Sequence, residues 1–391
     1  MTLHLADHLI DLTRARTTVP DRDSALEALA LAAAANLPVL LWGQPGIGKS
    51  STIEQLAADF GVGLETVIAS VHEPSDFAGL PIVGPDPDRN GVPMAPPDWA
   101  VRLHRAGSGL LFLDELSSAP PAVQAALLRV VLERRVGSLP LPPAVRVVAA
   151  ANPPDTAAGG WQLAAPLANR FVHLHWQHDP RIVVRGLGGT WPRLRPPRLR
   201  PDALEQAVRR ARAGVCGFLT ARPDYAHRLP TRTEARGGAW PSPRTWEMAL
   251  RLMAFTFAAE GGDIGRLDET LSVLLRGTLG DGAGLELMAY LDRADLPDPE
   301  DVLRDPDGFA PPHRGDLVNA VLTAMVDAVR RRCTRPRWEA GWAVLARVTA
   351  TAPADALVVP ASELAALRDP DWPLPETIDR LQPVLDLLAR A

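Results

Sequence analysis

The stretch that most restricts how this chain can fold is Gly43-Gln44-Pro45-Gly46-Ile47-Gly48-Lys49-Ser50, which reads G-x-x-x-x-G-K-[ST]. Before it, Val39-Leu40-Leu41-Trp42 has the length and composition of a short buried strand. Behind it, residues 51–60 place Ile53, Leu56, Ala57 and Phe60 at the spacing of one helical face. Strand, glycine-rich turn and helix in that order form the context of a phosphate-binding loop. Glycines let the backbone wrap around an anion, and N–H groups at the helix start point at it. In such a loop Lys49 reaches the terminal phosphates, the Ser50 hydroxyl holds Mg2+, and Gly43, Gln44, Pro45, Gly46, Ile47, Gly48 and Ser51 line the nucleotide.

Lys49 is the only lysine in a chain whose other 40 basic residues are arginine. A compact ammonium is thus kept at the one position where arginine's wider planar fork could not enter in the same way. The 391 residues suffice for two or three domains with buried cores. A net charge of -5 gives no global reason to expect nucleic acid or an anionic membrane as partner. Cys216 and Cys333 are too few and too far apart for a disulfide framework or a zinc site, so a cytoplasmic location is expected. Residues 1–10 lack the long apolar core of a secretory signal. The most apolar stretch, residues 25–42, is broken by Glu27, Asn36 and Pro38 and reads as helix then strand, with no membrane insertion.

Further along, Asp23-Ser24 can cap a helix over residues 25–35, and residues 64–69 read as a second strand. Residues 70–97 are rich in proline and glycine, a long loop of the kind that is usually functional. A short helix over 99–105 leads to Leu110-Leu111-Phe112-Leu113-Asp114-Glu115, a buried parallel strand whose carboxyl end opens into a site. Asp114 is placed to hold the Mg2+ shell, and Glu115 to polarise a water for attack on the γ-phosphate. A helix over 121–135, a hairpin-like segment at 136–143 and a strand over 145–151 follow, and the strand ends at Asn152. An amide beside the Asp-Glu strand can orient that water or bond the γ-phosphate. Arg170, at a short helix before strand 171–174, reads equally as a surface arginine or a charge-stabilising finger.

The order of these signals resembles the AAA+ ATPases, and within them the MoxR-like group. GQPGIGKS at 43–50, EPSDFAGL at 73–80, the stretch 110–137, AANPPD at 150–155, LANRF at 167–171 and SPRTWEMAL at 242–250 carry the resemblance. It covers about residues 37–171 and continues weakly to 253. It implies a Walker A loop with Lys49 and Ser50, a Walker B pair Asp114 and Glu115, and Asn152 as sensor 1. It also implies Arg170 as an arginine finger acting on a neighbouring subunit's nucleotide, and Arg244 as the sensor 2 arginine that opens a lid helix. The implied form is a ring, a hexamer by that resemblance, with ATP and Mg2+ at each interface. Segment 136–143 is similar to the pre-sensor hairpin, and the loop at 73–97 sits where the group faces its pore or partner.

The expected architecture is α/β: a P-loop parallel sheet flanked by helices over 1–176, an α-helical lid over 177–296, and an α-helical extension over 297–391. The lid carries arginine- and proline-rich loops, with Pro192, Arg193, Arg195 and Arg200 among their residues. Acidic, proline-marked residues 295–300 read as a linker, and amphipathic helices are expected over 202–219, 244–259, 267–279, 285–291, 317–332, 343–348 and 378–389. Two functions fit. One is a motor or chaperone that hydrolyses ATP to remodel a protein partner, which the resemblance makes a von Willebrand factor type A protein. The other is an assembly module switched by bound nucleotide, with turnover incidental. A small-molecule kinase fits the loop but not the Asp-Glu, Asn and Asn-Arg-Phe set, and DNA roles lack a binding motif.

Overall fold

The computed structural model describes residues 22–82, 92–153, 160–177, 179–189, 193, 196–259, 268–293, 297–312 and 314–388. The first ten residues, the tip of the 73–97 loop, Pro154 and Asp155, Trp191, Pro192, Arg195 and the start of the expected linker lie outside them.

Helix α1 (Arg22–Ala34) and strand β1 (Val39–Trp42) lead into the glycine-rich loop and α2 (Lys49–Asp59). Next come β2 (Leu64–Ile68), α3 (Ser75–Ala78), the paired β3 (Leu80–Pro81) and β4 (Met94–Ala95), and α4 (Asp98–Ala106). Then follow β5 (Ser108–Asp114), α5 (Pro121–Glu133), the hairpin of β6 (Arg135–Val136) and β7 (Leu139–Pro140), β8 (Ala144–Ala151), α6 (Ala165–Ala168) and β9 (Val172–His175). The main sheet has the order β2-β5-β8-β1-β9 and every pair is parallel. α1 already runs through residues 22–24, so the expected cap at Asp23-Ser24 lies inside the first turn.

Continuous apolar strands arise because both faces of the sheet are covered. Val39, Leu41, Val148, Ala150, Val172 and Leu174 face α1 and α2. Leu40, Trp42, Leu111, Leu113, Val147 and Ala149 face α4 and α5. The alternation follows from the two-residue repeat of a strand. It leaves the carboxyl ends of β1, β5 and β8 side by side.

The rest is helical: α7 (Pro180–Leu187), α8 (Pro201–Ala221), α9 (Pro243–Ala258), α10 (Glu269–Leu279), α11 (Asp281–Arg293), α12 (Pro299–Arg304), α13 (Gly315–Arg331), α14 (Arg335–Val348), α15 (Asp355–Ala366) and α16 (Gln382–Leu388). Helices on both sides of residue 296 share one apolar core, from Ala207 to Val384. Within it Trp338 and Trp342 pack edge to face with centroids 6.0 Å apart, on the same side of α14. The end of the expected linker is pinned: Asp298 caps α12 through the Glu300 N–H, Arg209 reaches Asp298 at 3.4 Å, and Arg337 forks onto Glu300 at 2.6 and 2.8 Å. α7, α12 and α15 were not expected. α12 has under two turns, and α15 contains Pro360, which ordinarily argues against a helix interior.

The helical half docks directly on the sheet. Met248, Leu252, Val273 and Leu274 join the core beneath α1, and the Thr270 hydroxyl donates to Glu27 at 2.8 Å. Gly277 makes the approach possible, since a Cβ there would fall 2.2 Å from the His173 carbonyl oxygen on β9.

Candidate active site

The glycine-rich loop starts as an extension of β1, with the Gly43 N–H donating to Ala151 O of β8 at 3.1 Å. Gly43 is packed so closely that a Cβ would lie 2.8 Å from the Trp176 carbonyl oxygen. Gly46 and Gly48 take φ of 77° and 85°, in the left-handed region that glycine enters without steric cost. The chain then turns sharply into α2 with Lys49 as its first residue.

Lys49 is buried, and its ammonium donates to Gly43 O at 2.6 Å, Gln44 O at 2.9 Å and Asn152 Oδ1 at 2.9 Å. Its three N–H donors thus meet three oxygen acceptors. Burial lowers the Lys49 pKa, and the nearby Asp114 carboxylate works against that shift. An entering phosphate oxygen would replace a neutral acceptor with a charged one, which favours the ammonium form. Ser50 Oγ donates to Asp114 Oδ2 at 3.2 Å. These two hard oxygens, from α2 and the end of β5, suit Mg2+ that completes its shell with waters and substrate phosphates. Among the described residues no group of three or more His, Cys, Asp or Glu side chains comes together as a metal cluster.

Glu115 follows β5 with φ of 55°, an unusual conformation for a non-glycine residue and a cost of about 1–3 kcal/mol. Its N–H donates to Asp114 Oδ1 at 2.8 Å, and its exposed carboxylate accepts from the Ser70 hydroxyl at the end of β2. Asn152 is held from behind, its N–H donating to the buried Ser117 Oγ at 3.0 Å. Lys49 with Asn152, and Ser50 with Asp114 and Glu115, therefore form two hydrogen-bonded sets that adjoin at the Lys49-Ser50 step, at the carboxyl ends of adjacent parallel strands. Ile47 and Gly48 are half-buried, whereas Gln44, Pro45, Gly46 and Ser51 are exposed along the loop and helix start.

Arg170 and Arg244 form a further group, which no described hydrogen bond or ion pair joins to these sets. Arg170 Nη1 donates to Pro166 O across α6, and its Nε is buried with no hydrogen-bond partner among the described residues. Burial and the neighbouring Arg244 charge both lower the Arg170 pKa. Arg244 is exposed at the start of α9 and donates to Asn169 Oδ1 at 3.4 Å.

Several participants escaped the sequence reading. Ser70 lies just past the carboxyl end of a parallel strand next to the Asp-Glu strand, a position that could have flagged it. Ser117 and His173 carried no signal, because Asn152 and Trp42, which they bond, lie 35 and 131 residues away. Asn169 and Ser242 fell inside motifs of the resemblance without a role, their mutual bond spanning 73 residues.

Residues 38–171 match the family model "AAA domain (dynein-related subfamily)". A stretch of 55 residues is 54% identical to the Psp operon transcriptional activator of Escherichia coli (strain K12), covering 13% of this chain. The chain spans only 17% of the length of that curated relative. The solved structure of a candidate ATPase from Cytophaga hutchinsonii is 17% identical, with a TM-score of 0.46 over 68% of this chain and 88% of that one. The sheet order and the glycine-rich loop agree with the family match in giving residues 38–171 the P-loop fold of an AAA domain.

Proposed function

We propose that the chain is a Mg2+-dependent ATP hydrolase of the MoxR-like kind, which works as a ring, a hexamer on this reading, and remodels or assembles a protein partner. The observation that carries the reading is the Lys49 ammonium bridging the loop carbonyls to Asn152, beside the Ser50–Asp114 pair. Mg2+ and ATP, when bound, supply charge neutralisation and the phosphoanhydride bond. Gly43 to Ser51 cradle the phosphates, Lys49 neutralises their charge, and Ser50 and Asp114 hold the metal. The Glu115 carboxylate takes a proton from the attacking water, and Asn152 orients that water or the γ-phosphate. Arg170, folded back on α6 within a single chain, is the finger that reaches a neighbour's γ-phosphate. Arg244 approaches the phosphates from the lid. A fork that pairs two phosphate oxygens suits both tasks.

Glu115→Gln keeps the metal and phosphate contacts and removes the base. It should bind ATP within about twofold of the parent while turnover falls at least about a hundredfold. Undiminished hydrolysis in that variant would remove Glu115 from the mechanism. Mixing Lys49→Ala with Arg170→Ala subunits tests action across an interface, because only mixed interfaces contain both groups, and turnover should partly recover. For the partner, the resemblance favours a von Willebrand factor type A protein in the cytoplasm. Hydrolysis that rises several-fold with the partner supports the motor, and partner release that follows bound nucleotide alone supports an assembly switch.

A further inference from the structure

The residue before Arg170 has a role that no motif assigns. Asn169 is 2% exposed and ends α6, where its own N–H donates to Ala165 O at 3.1 Å. Its carboxamide is engaged with one distant segment. Nδ2 donates to Trp240 O at 3.0 Å, while Oδ1 accepts from Ser242 Oγ at 2.7 Å and from Arg244 Nη1 at 3.4 Å. Ser242 is the N-cap of α9 and shares a reciprocal capping box with Thr245, the two closing on each other through both backbone N–H groups. The same end of α6 is gripped from its other side. His173 Nε2 donates to Ala168 O at 2.9 Å, and its Nδ1 accepts from Trp42 Nε1 at 2.8 Å, one residue before the phosphate loop. The turn that carries Arg170 is therefore clamped between β1 and the start of α9.

We propose that Asn169 is a positioning residue that locks the Arg170 turn to the N-terminus of α9, so that Arg170, which reaches a neighbour's phosphate, is held in a fixed relation to Arg244 and the lid of its own chain. The proposal rests on the reading of Arg170 as a finger. A carboxamide is the side chain this junction requires, because it must donate to a carbonyl and accept from a hydroxyl and a guanidinium at once. An aspartate would set oxygen against the Trp240 carbonyl and draw both arginines onto itself. A leucine would strip the buried Ser242 hydroxyl of its acceptor at the end of α6 and leave the Trp240 carbonyl with only the Thr245 hydroxyl, which a desolvated junction tolerates poorly. The amide is also neutral, so it can sit between two like charges without quenching either.

The test uses the full chain assembled with ATP, the variants Asn169→Ala and Ser242→Ala, and two readouts. Amide hydrogen exchange reports the junction without reference to activity. Each variant should speed exchange about tenfold or more in both residues 168–172 and residues 244–247, with α13 and α14 unchanged. Loosening confined to each variant's own segment would overturn the proposal. Steady-state hydrolysis reports the consequence. Asn169→Ala should lower kcat about tenfold with KM held within about twofold, and should cost nothing further on an Arg170→Ala background. Losses that multiply, or a rise in KM with kcat kept, would mark Asn169 as a merely structural residue. Full turnover in Arg170→Ala alone would sink the finger reading, and the exchange result would still judge the junction. If Asn169→Ala does not fold, Asn169→Ser keeps a small hydrogen-bonding hydroxyl at the junction without adding a charge. It should show the same paired loosening at a smaller amplitude, and unchanged exchange in both segments would again overturn the proposal.

Discussion

His173 offers the sharpest quantitative test of this architecture. Its ring lies fully buried between a donor and an acceptor: Trp42 Nε1 can only donate to Nδ1, and Ala168 O can only accept from Nε2. The environment thus admits the neutral tautomer with the proton on Nε2, and a second proton on Nδ1 would face the indole N–H. Burial pushes the pKa down from the ordinary 6.5 to about 4; the Ala168 bond opposes the shift and the His175 charge reinforces it. Because the folded pKa is depressed, the associated stability is fully present above 6.5 and drains away as pH falls towards about 4. On going from about pH 7.5 to about pH 5, the unfolded chain takes up nearly one proton that the folded chain refuses, which removes about 2 kcal/mol. His173→Gln provides the comparator, since its carboxamide can also accept from Trp42 and donate to Ala168 but does not titrate. Urea unfolding of both proteins, followed by tryptophan fluorescence at the two pH values, isolates this residue because every other ionisable group cancels. The parent should lose about 2 kcal/mol more than the variant over that interval. Parallel losses in the two proteins would refute the neutral, locked imidazole, as would an NMR signal of His173 that titrates near 6.5.

Three further outcomes follow from named contacts. Gly277→Ala drives a Cβ against the His173 carbonyl, backbone meeting backbone, so it should cost about 1–3 kcal/mol by urea unfolding and weaken docking of α10 on β9. Lys49→Arg retains the charge but cannot satisfy three oxygens within 2.9 Å in the same loop, so ATP binding measured by titration calorimetry should fall more than about tenfold. Parent-like affinity there would separate the ammonium from phosphate recognition. Arg337→Met removes the fork on Glu300 and should destabilise the chain by about 1–3 kcal/mol near neutral pH. The penalty should shrink in acid, because Arg337 holds the Glu300 pKa low and the pair's contribution is lost as pH falls through that value. An equal penalty at neutral and acid pH would contradict the pairing.

The amino-acid sequence alone determined the elements whose causes are local. Glycines at 43, 46 and 48 followed by one lysine dictate a turn, and apolar runs at 39–42, 110–113 and 145–151 dictate strands buried on both faces. Those strands end at Asp114 and Asn152 because polar residues stop a buried run, so most of the first cluster was legible before any coordinates. Only the tertiary structure decided what depends on distant pairing. The hydroxyl of Ser70 meets Glu115 because β2 lies beside β5, and the amide of Asn169 meets Ser242 because α10 and α9 dock on the sheet. A short polar side chain carries no periodicity, and its meaning comes from whichever donor or acceptor the fold brings within about 3 Å. The shared core from Ala207 to Val384 was hidden for a related reason. Amphipathic helices show that each must bury a face and leave open which helix will cover it.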